Sequence, residues 1–208
     1  MQLIVLRHGK TAGNIEKRYI GTTNEPLCKE GEEQARAVGE VRSVARVYVS
    51  PLLRARQTAQ IAFPRAQQIV VPDLREMDFG EFENKNYQEL AGNAAYQAWV
   101  DGNCEARCPQ GESKDEFSRR TACALHVLLQ EAAQRGEEYV VVVAHGGTVM
   151  AAMDAFTCAK GSYYSWHVDN CEGYSARVLP TALGGFEFED CRKITTADKW
   201  GFAHVEVI

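Results

Sequence analysis

The chain has 208 residues, of which 23 are basic and 28 acidic, a formal charge of −5 at pH 7; that length suffices to enclose a sizeable core, and residues 1–208 are expected to form a single domain. The acidic balance gives no general attraction for nucleic acid or for an anionic membrane surface, so any anion site must be a local concentration of positive charge suited to a small ligand. No apolar run approaches the roughly 20 residues of a membrane span, and the chain opens on strand-like residues rather than on a basic leader, so a cytoplasmic protein without membrane attachment is expected, as a monomer or a homodimer.

Leu3 to Leu6 is an aliphatic and β-branched run that predicts a short buried strand, and it ends on Arg7-His8-Gly9-Lys10-Thr11. A polar loop follows from Lys10 to Leu27, long enough to fold over a ligand, and then a helix from about Gly31 that carries Gln34, Ala35 and Val38. Arg46 to Ser50 reads as a second strand. Ser50 and Pro51 read as the N-cap and first position of a helix running to about Phe63, with Arg54 one turn in. Gln68 to Pro72 is a third strand, leading into an acidic turn from Asp73 to Gly80 that contains Glu76. Residues 81–112 read as helical pieces bearing Tyr87, Leu90, Tyr96, Trp99 and Val100, broken by Gly92, Gly102 and the Cys108-Pro-Gln-Gly turn; they are expected to lie over one sheet edge as a lid-like insertion.

Ser113-Lys-Asp-Glu116 is a capping box, and the long helix it opens presents Phe117, Ala124, Leu125, Leu128 and Leu129 to the core before ending near Gly136. Val140 to Val143 is the fourth strand. It ends on Ala144-His145-Gly146-Gly147-Thr148, after which Gly147 to about Cys158 is helical and Gly173–Leu179 with Gly185–Glu189 forms a terminal hairpin. Strands separated by helices predict an α/β fold, a three-layer αβα sandwich on a mixed, mostly parallel sheet. The seven cysteines, at 28, 104, 108, 123, 158, 171 and 191, share no Cys-x-x-Cys spacing and are expected to be reduced thiols.

Two strands thus end on His-Gly-x-Thr, and in an open α/β sheet the carboxyl ends of strands are where ligands bind. Two imidazoles in one crevice, an arginine beside the first, and a glycine after each that lets the backbone approach closely indicate a bound anion. Arg54 or its neighbour Arg56 would add a second guanidinium. Glu76 is the candidate acid, with Asp73, Asp78 and Glu81 nearby. His126, His167 and His204 carry no supporting motif. The histidines and carboxylates lack zinc-site spacing, so no metal and no cofactor are called for.

These segments resemble the histidine phosphatase superfamily, the group that includes cofactor-dependent phosphoglycerate mutases. Leu6-Arg7-His8-Gly9 matches its signature, Asn14 and Arg18-Tyr-Ile20-Gly21-Thr22 its substrate loop, Ser50-Pro-Leu-Leu-Arg54-Ala55 its second-arginine motif, Leu74-Arg-Glu76 its acid motif and Ala144-His145-Gly146 its second histidine. The resemblance spans residues 3 to about 150. It implies catalytic roles for His8, Arg7, Arg54, Glu76 and His145, and substrate contacts from Asn14, Ile20, Gly21, Thr22 and Gly146. Chemistry supports the set: a transferring phosphoryl group spreads charge over three oxygens and needs several donors around it, which two guanidinium forks, Asn14 and a His145 that is protonated or donates through one ring nitrogen would supply. A neutral His8 attacks phosphorus without anionic repulsion, its other ring nitrogen held by a backbone carbonyl, and Glu76, its pKa raised by crowding against phosphate oxygens, would protonate the leaving alcohol.

The chain departs from the family's usual pattern at Lys10, where an acid is common, at Asn24 (aspartate), Cys28 (a capping threonine) and Met150 (arginine). Cys28 is expected to weaken the cap of the helix after it by roughly 1 kcal/mol. Three functions remain open: hydrolysis of a small phosphomonoester, mutase-type transfer, and phospholigand binding without catalysis. Residues 81–112 contain only Lys85 and Arg107 as bases, beside several aromatics, which favours hydrolysis of an ester with an apolar or ring-bearing alcohol. Among family members of this size the resemblance is nearest to the α-ribazole phosphatases of cobalamin assembly. Tyr87, Tyr96 and Trp99 would be core of the insertion or cover for the substrate.

Overall fold

The computed structural model of the chain describes residues 1–38, 44–158 and 161–196, so His204 lies outside the described residues. Six strands form one sheet in the order β3-β2-β4-β1-β5-β6: β1 Gln2–Arg7, β2 Arg46–Val49, β3 Gln67–Val70, β4 Tyr139–Ala144, β5 Gly173–Pro180 and β6 Phe186–Ile194. The first four in that order run parallel, and β5 and β6 add antiparallel strands on the β1 side. The helices are α1 Ala12–Ile15, α2 Lys29–Ala37, α3 Leu53–Ala62, α4 Ala94–Asp101, α5 Lys114–Gln134 and α6 Gly146–Phe156. No helix among the described residues is long and apolar enough to cross a membrane.

The continuous apolar runs of β1 and β4 follow from a sheet covered on both faces. Side chains alternate along each strand, and the two sets feed two cores. Leu3, Val5, Val140 and Val142 pack with Leu125, Leu128 and Leu129 of α5 and Val149 and Met153 of α6. Ile4, Leu6, Val141 and Val143 pack with Ala35 of α2 and Ala55, Ala59 and Ala62 of α3. This is the mixed, mostly parallel αβα arrangement expected. Cys28, Cys104, Cys108, Cys123, Cys158 and Cys191 are free thiols.

Three local expectations change. Ser50 does not cap α3: the helix starts at Leu53 behind a Leu52 N-cap that makes no side-chain bond, and Asn24 Oδ1 accepts from Leu53 N at 2.7 Å instead. A short helix, α1, interrupts the first loop, closed by a capping box between Thr11 and Asn14. The hairpin is longer than expected, with β6 reaching Ile194. In the inserted segment, Phe82, Leu90, Trp99 and Cys108 form a third core with Phe117 of α5 and Ala151 of α6. The capping box of α5 stands as read, with Ser113 N donating to Glu116 Oε2 at 2.9 Å and Glu116 N to Ser113 Oγ at 3.2 Å. Cys28 is the N-cap of α2 without a side-chain bond.

Candidate active site

Strand register positions the histidines. Arg7 lies opposite Ala144 in the parallel β1–β4 pair, so His8 and His145 emerge side by side at the carboxyl end, their ring centroids 5.1 Å apart. Val49 of β2 lies opposite Val143, which puts Ser50 at the same level, and Ser50 Oγ is 2.6 Å from His145 Nε2. Arg54, in the first turn of α3, is fully buried, whereas Arg56 is exposed.

Two hydrogen bonds fix the tautomer of His8. Arg54 Nε is 3.1 Å from His8 Nε2, and a guanidinium can only donate, so Nε2 carries the lone pair. Nδ1 therefore carries the proton and donates to the Gly9 carbonyl at 2.7 Å. Burial, reinforced by the charges of Arg54 and Arg7, holds His8 well below the ordinary imidazole range. His145 is held down likewise, by burial and then by Arg54, so both rings are neutral, and of the two states expected for His145 the neutral one that donates through a single nitrogen applies. His145 Nδ1 and Arg7 Nε are buried without a hydrogen-bond partner among the described residues, while the Arg7 fork is steadied by Nη1 donating to the Val168 carbonyl at 2.8 Å.

Glu76 leaves the turn after β3 and is 8% exposed. Its Oε1 accepts from Met77 N at 2.9 Å and its Oε2 from Gly147 N at 3.0 Å, one of the free amides at the start of α6. A Cβ on Gly147 would collide with the Glu76 carboxylate, which is why glycine stands there. Burial raises the Glu76 pKa, against the pull of those two amides and of Arg54 and Arg7. Its neighbour Asp73 is exposed and pairs with Arg75.

The remaining sequence candidates divide. Asn14 Oδ1 accepts from Thr11 N and from Asn170 Nδ2, and Asn170 Nδ2 also reaches the His8 carbonyl, the last two contacts both at 3.1 Å. Ile20 and Gly21 give their carbonyls to Arg54, at 3.1 and 2.9 Å, and Thr23 does so at 2.7 Å. The amides of Gly21, Thr22 and Thr23 donate to Glu83. Residues 20–23 therefore hold Arg54 through backbone groups, and Thr22 is exposed. Gly146 packs against the Arg7 guanidinium. The glycine after His8 also answers to packing, since a Cβ there would stand 2.5 Å from the Gly31 carbonyl of α2.

Beside the histidines a cavity of about 550 Å³ is lined by Arg7, Asn14 and Asn170, by the aromatic rings of Tyr19 and Tyr87, and by Lys10, Lys17, Arg18, His167 and Asp169. Lys10 is paired with Glu30 and Arg18 with Glu16 and Glu89. Tyr87 is 56% exposed and Trp99 is 5% exposed; Trp99 Nε1 donates to the Ala106 carbonyl, and the hydroxyls of Tyr96 and Tyr19 lie 2.9 Å apart. Tyr96 and Trp99 are therefore core of the inserted segment, whereas Tyr87 faces the cavity. Sequence reasoning does not mark Ser50, Asn170, Glu83 or His167 as site residues. The strand-end position of Ser50, matching those of His8 and His145, is the one signal that could have found any of them.

The ends of β1 and β4 thus bring His8, Arg7 and His145 together, and α3 adds Arg54 and the turn after β3 the buried Glu76 carboxyl. The chain belongs to the histidine phosphatase superfamily (branch 1), whose family model matches residues 3–182. It is 35% identical over 139 residues to the "Probable phosphoglycerate mutase GpmB" of Klebsiella pneumoniae (strain 342), covering 62% of this chain and 64% of that protein, so the chain spans less than two thirds of that relative's length. It is 32% identical over 162 residues to the 2,3-bisphosphoglycerate-dependent phosphoglycerate mutase 2 of Gloeobacter violaceus, 73% of each chain. Similar solved structures include the α-ribazole phosphatase of Shigella flexneri, with a TM-score of 0.72 at 24% identity, covering 91% of this chain and 95% of that one. A phosphoglycerate mutase of Thermus thermophilus has a TM-score of 0.65 at 28% identity, covering 94% and 99%.

Proposed function

We propose that the chain is a phosphomonoester hydrolase acting through a phosphohistidine on His8. The observation that carries this reading is the forced tautomer of His8: one ring nitrogen is tied to the Gly9 carbonyl and the other holds its lone pair beside Arg54. In the reaction, Arg7, Arg54 and His145 take the phosphoryl oxygens, the last through Nδ1–H with Ser50 Oγ–H donating to Nε2. His8 Nε2 attacks phosphorus as the phosphorus–alcohol oxygen bond breaks, and the Glu76 carboxyl gives its proton to the leaving oxygen. Glu76 then takes a proton from water, whose oxygen attacks phosphorus; the phosphorus–nitrogen bond breaks and phosphate leaves.

The alcohol part occupies the cavity beyond Arg7. Tyr87 and Tyr19 line it and Asp169 offers an acceptor for hydroxyls, which suits a ring-bearing sugar phosphate, with α-ribazole 5'-phosphate the first ester to try. A mutase reading draws support from Lys17 at the cavity, which has no ionic partner among the described residues. Against it, Lys85 and Arg107, the bases of the inserted segment, are engaged elsewhere, on the Glu81 carbonyl and on Glu116. A panel of phosphomonoesters, with and without chelator, tests the proposal. Release of phosphate unaffected by chelator, with α-ribazole 5'-phosphate among the better substrates, is expected; interconversion of phosphoglycerates with little free phosphate would select the mutase instead, and tight binding without turnover would make the chain a binding module.

A further inference from the structure

The turn that carries Glu76 has no ladder of its own. After β3 the chain makes a single turn of 3-10 helix, Pro72–Leu74, and then runs irregularly to Phe79. What its backbone carbonyls meet is Arg120, on α5. One edge of that guanidinium donates to the carbonyls of Asp73 at 2.8 Å, Arg75 at 3.1 Å and Glu76 at 3.4 Å. The other edge forms a two-point pair with Glu112, Nε to Oε1 at 2.9 Å and Nη2 to Oε2 at 2.7 Å. Glu112 grips the far side of the turn: its Oε2 accepts from Asp78 N at 3.0 Å, and its own N–H donates to the Asp78 carbonyl at 2.9 Å.

Both side chains are largely shielded, 12% exposed for Arg120 and 18% for Glu112, so this pair escapes most of the screening that makes surface ion pairs weak. Burial alone would raise Glu112, yet the Arg120 and Asp78 hydrogen bonds and the charges of Arg120 and Arg75 hold it below the ordinary carboxylate range. Arg120 lies over the Phe117 ring, 5.2 Å from its centroid, and the capping box of α5 begins at the residue after Glu112. The brace is therefore anchored at the capped start of α5.

We propose that Arg120 and Glu112 are positioning residues for proton delivery: clamped to α5, they fix the backbone from 73 to 78 so that the Glu76 carboxyl meets the leaving alcohol. The inference rests on the reading of Glu76 as the acid. A planar fork is what the three carbonyls and the carboxylate require, and lysine, a point donor, cannot reproduce it.

The test compares an alkyl phosphate, whose leaving oxygen must be protonated, with p-nitrophenyl phosphate, whose leaving group departs as the anion. Arg120→Met is expected to lower kcat on the alkyl ester by about 10- to 100-fold, the scale of a misplacement near 1 Å. The first-turnover burst of p-nitrophenol changes less than about twofold in rate, since that step needs no acid. KM stays near its original value for both, Glu112→Gln shows the same selectivity more weakly, and Arg120→Lys recovers only part of the loss. Equal fractional losses on the two esters, or a change confined to KM, would overturn the proposal. Glu76→Gln run alongside separates the two readings: if it is selective and Arg120→Met is not, the brace fails alone, and if it is itself unselective the acid assignment fails first. Should Arg120→Met not fold, the same comparison of esters with Glu112→Gln decides in its place.

Discussion

His8 and Glu76 reach one crevice by opposite means. His8 follows a strand whose every backbone group is paired, with Arg7 opposite Ala144 across the ladder, so its place is set by the sheet. Glu76 sits in a turn whose carbonyls are held by one arginine from α5. Ladder positions tolerate little variation because a shift of one residue would turn every side chain to the other face. A turn held by side chains depends on each of those side chains.

That contrast orders the expected effects. His8→Ala is expected to lower turnover on every phosphomonoester by roughly 10³-fold or more, the loss usual when a covalent nucleophile is removed, read as steady-state phosphate release. Retention of activity on any ester would place the nucleophile elsewhere. Glu76→Gln is expected to cost about 10²- to 10⁴-fold on alkyl phosphates and little in the first-turnover burst of p-nitrophenol, the step that needs no acid. The same group is expected to set the alkaline limb: Glu76 is raised by burial, so alkyl-ester turnover falls as pH rises through that raised pKa, and the first-turnover burst of p-nitrophenol does not follow it.

Smaller effects belong to the supports. Ser50→Ala removes the partner of His145 Nε2 and leaves a buried ring nitrogen unpaired, a cost of about 1–3 kcal/mol; a lower melting temperature together with a roughly tenfold loss of kcat is expected, and an unchanged kcat would detach Ser50 from the reaction. Acid titration of stability sharpens the ladder side of the comparison. Both histidines are held well below the ordinary imidazole range, so in mild acid the unfolded chain binds protons that the fold refuses. Stability is therefore present above about pH 6.5 and is lost as pH falls through the depressed values, which urea unfolding at a series of pH values measures.

The same contrast explains what is legible in the sequence. The apolar runs ending at Leu6 and Val143 identify β1 and β4 and bring His8 and His145 together, because alternation and strand ends are local signals. The Ser113 capping box is equally local. Ser50 reads as a helix cap because Ser-Pro has the composition of one, while its actual partner, His145, is 95 residues away. Ile20, Gly21 and Thr22 stand at the right loop, but their amides and carbonyls answer to Glu83 and Arg54, and backbone engagement leaves no mark on residue type. Arg120 and Glu112 carry no signal at all, since an arginine on an amphipathic helix reads as a solvated one.

The central claim is that His8 Nε2 takes the phosphoryl group. Quenching a turning-over reaction into alkali, where a phosphorus–nitrogen bond on histidine survives, and mapping the adduct by peptide mass spectrometry tests it most directly. A phosphoryl group on His8, accumulating when Glu76→Gln slows its hydrolysis and absent from His8→Ala, is the result expected. Turnover without any adduct on the chain, or an adduct on His145 in place of His8, would contradict it.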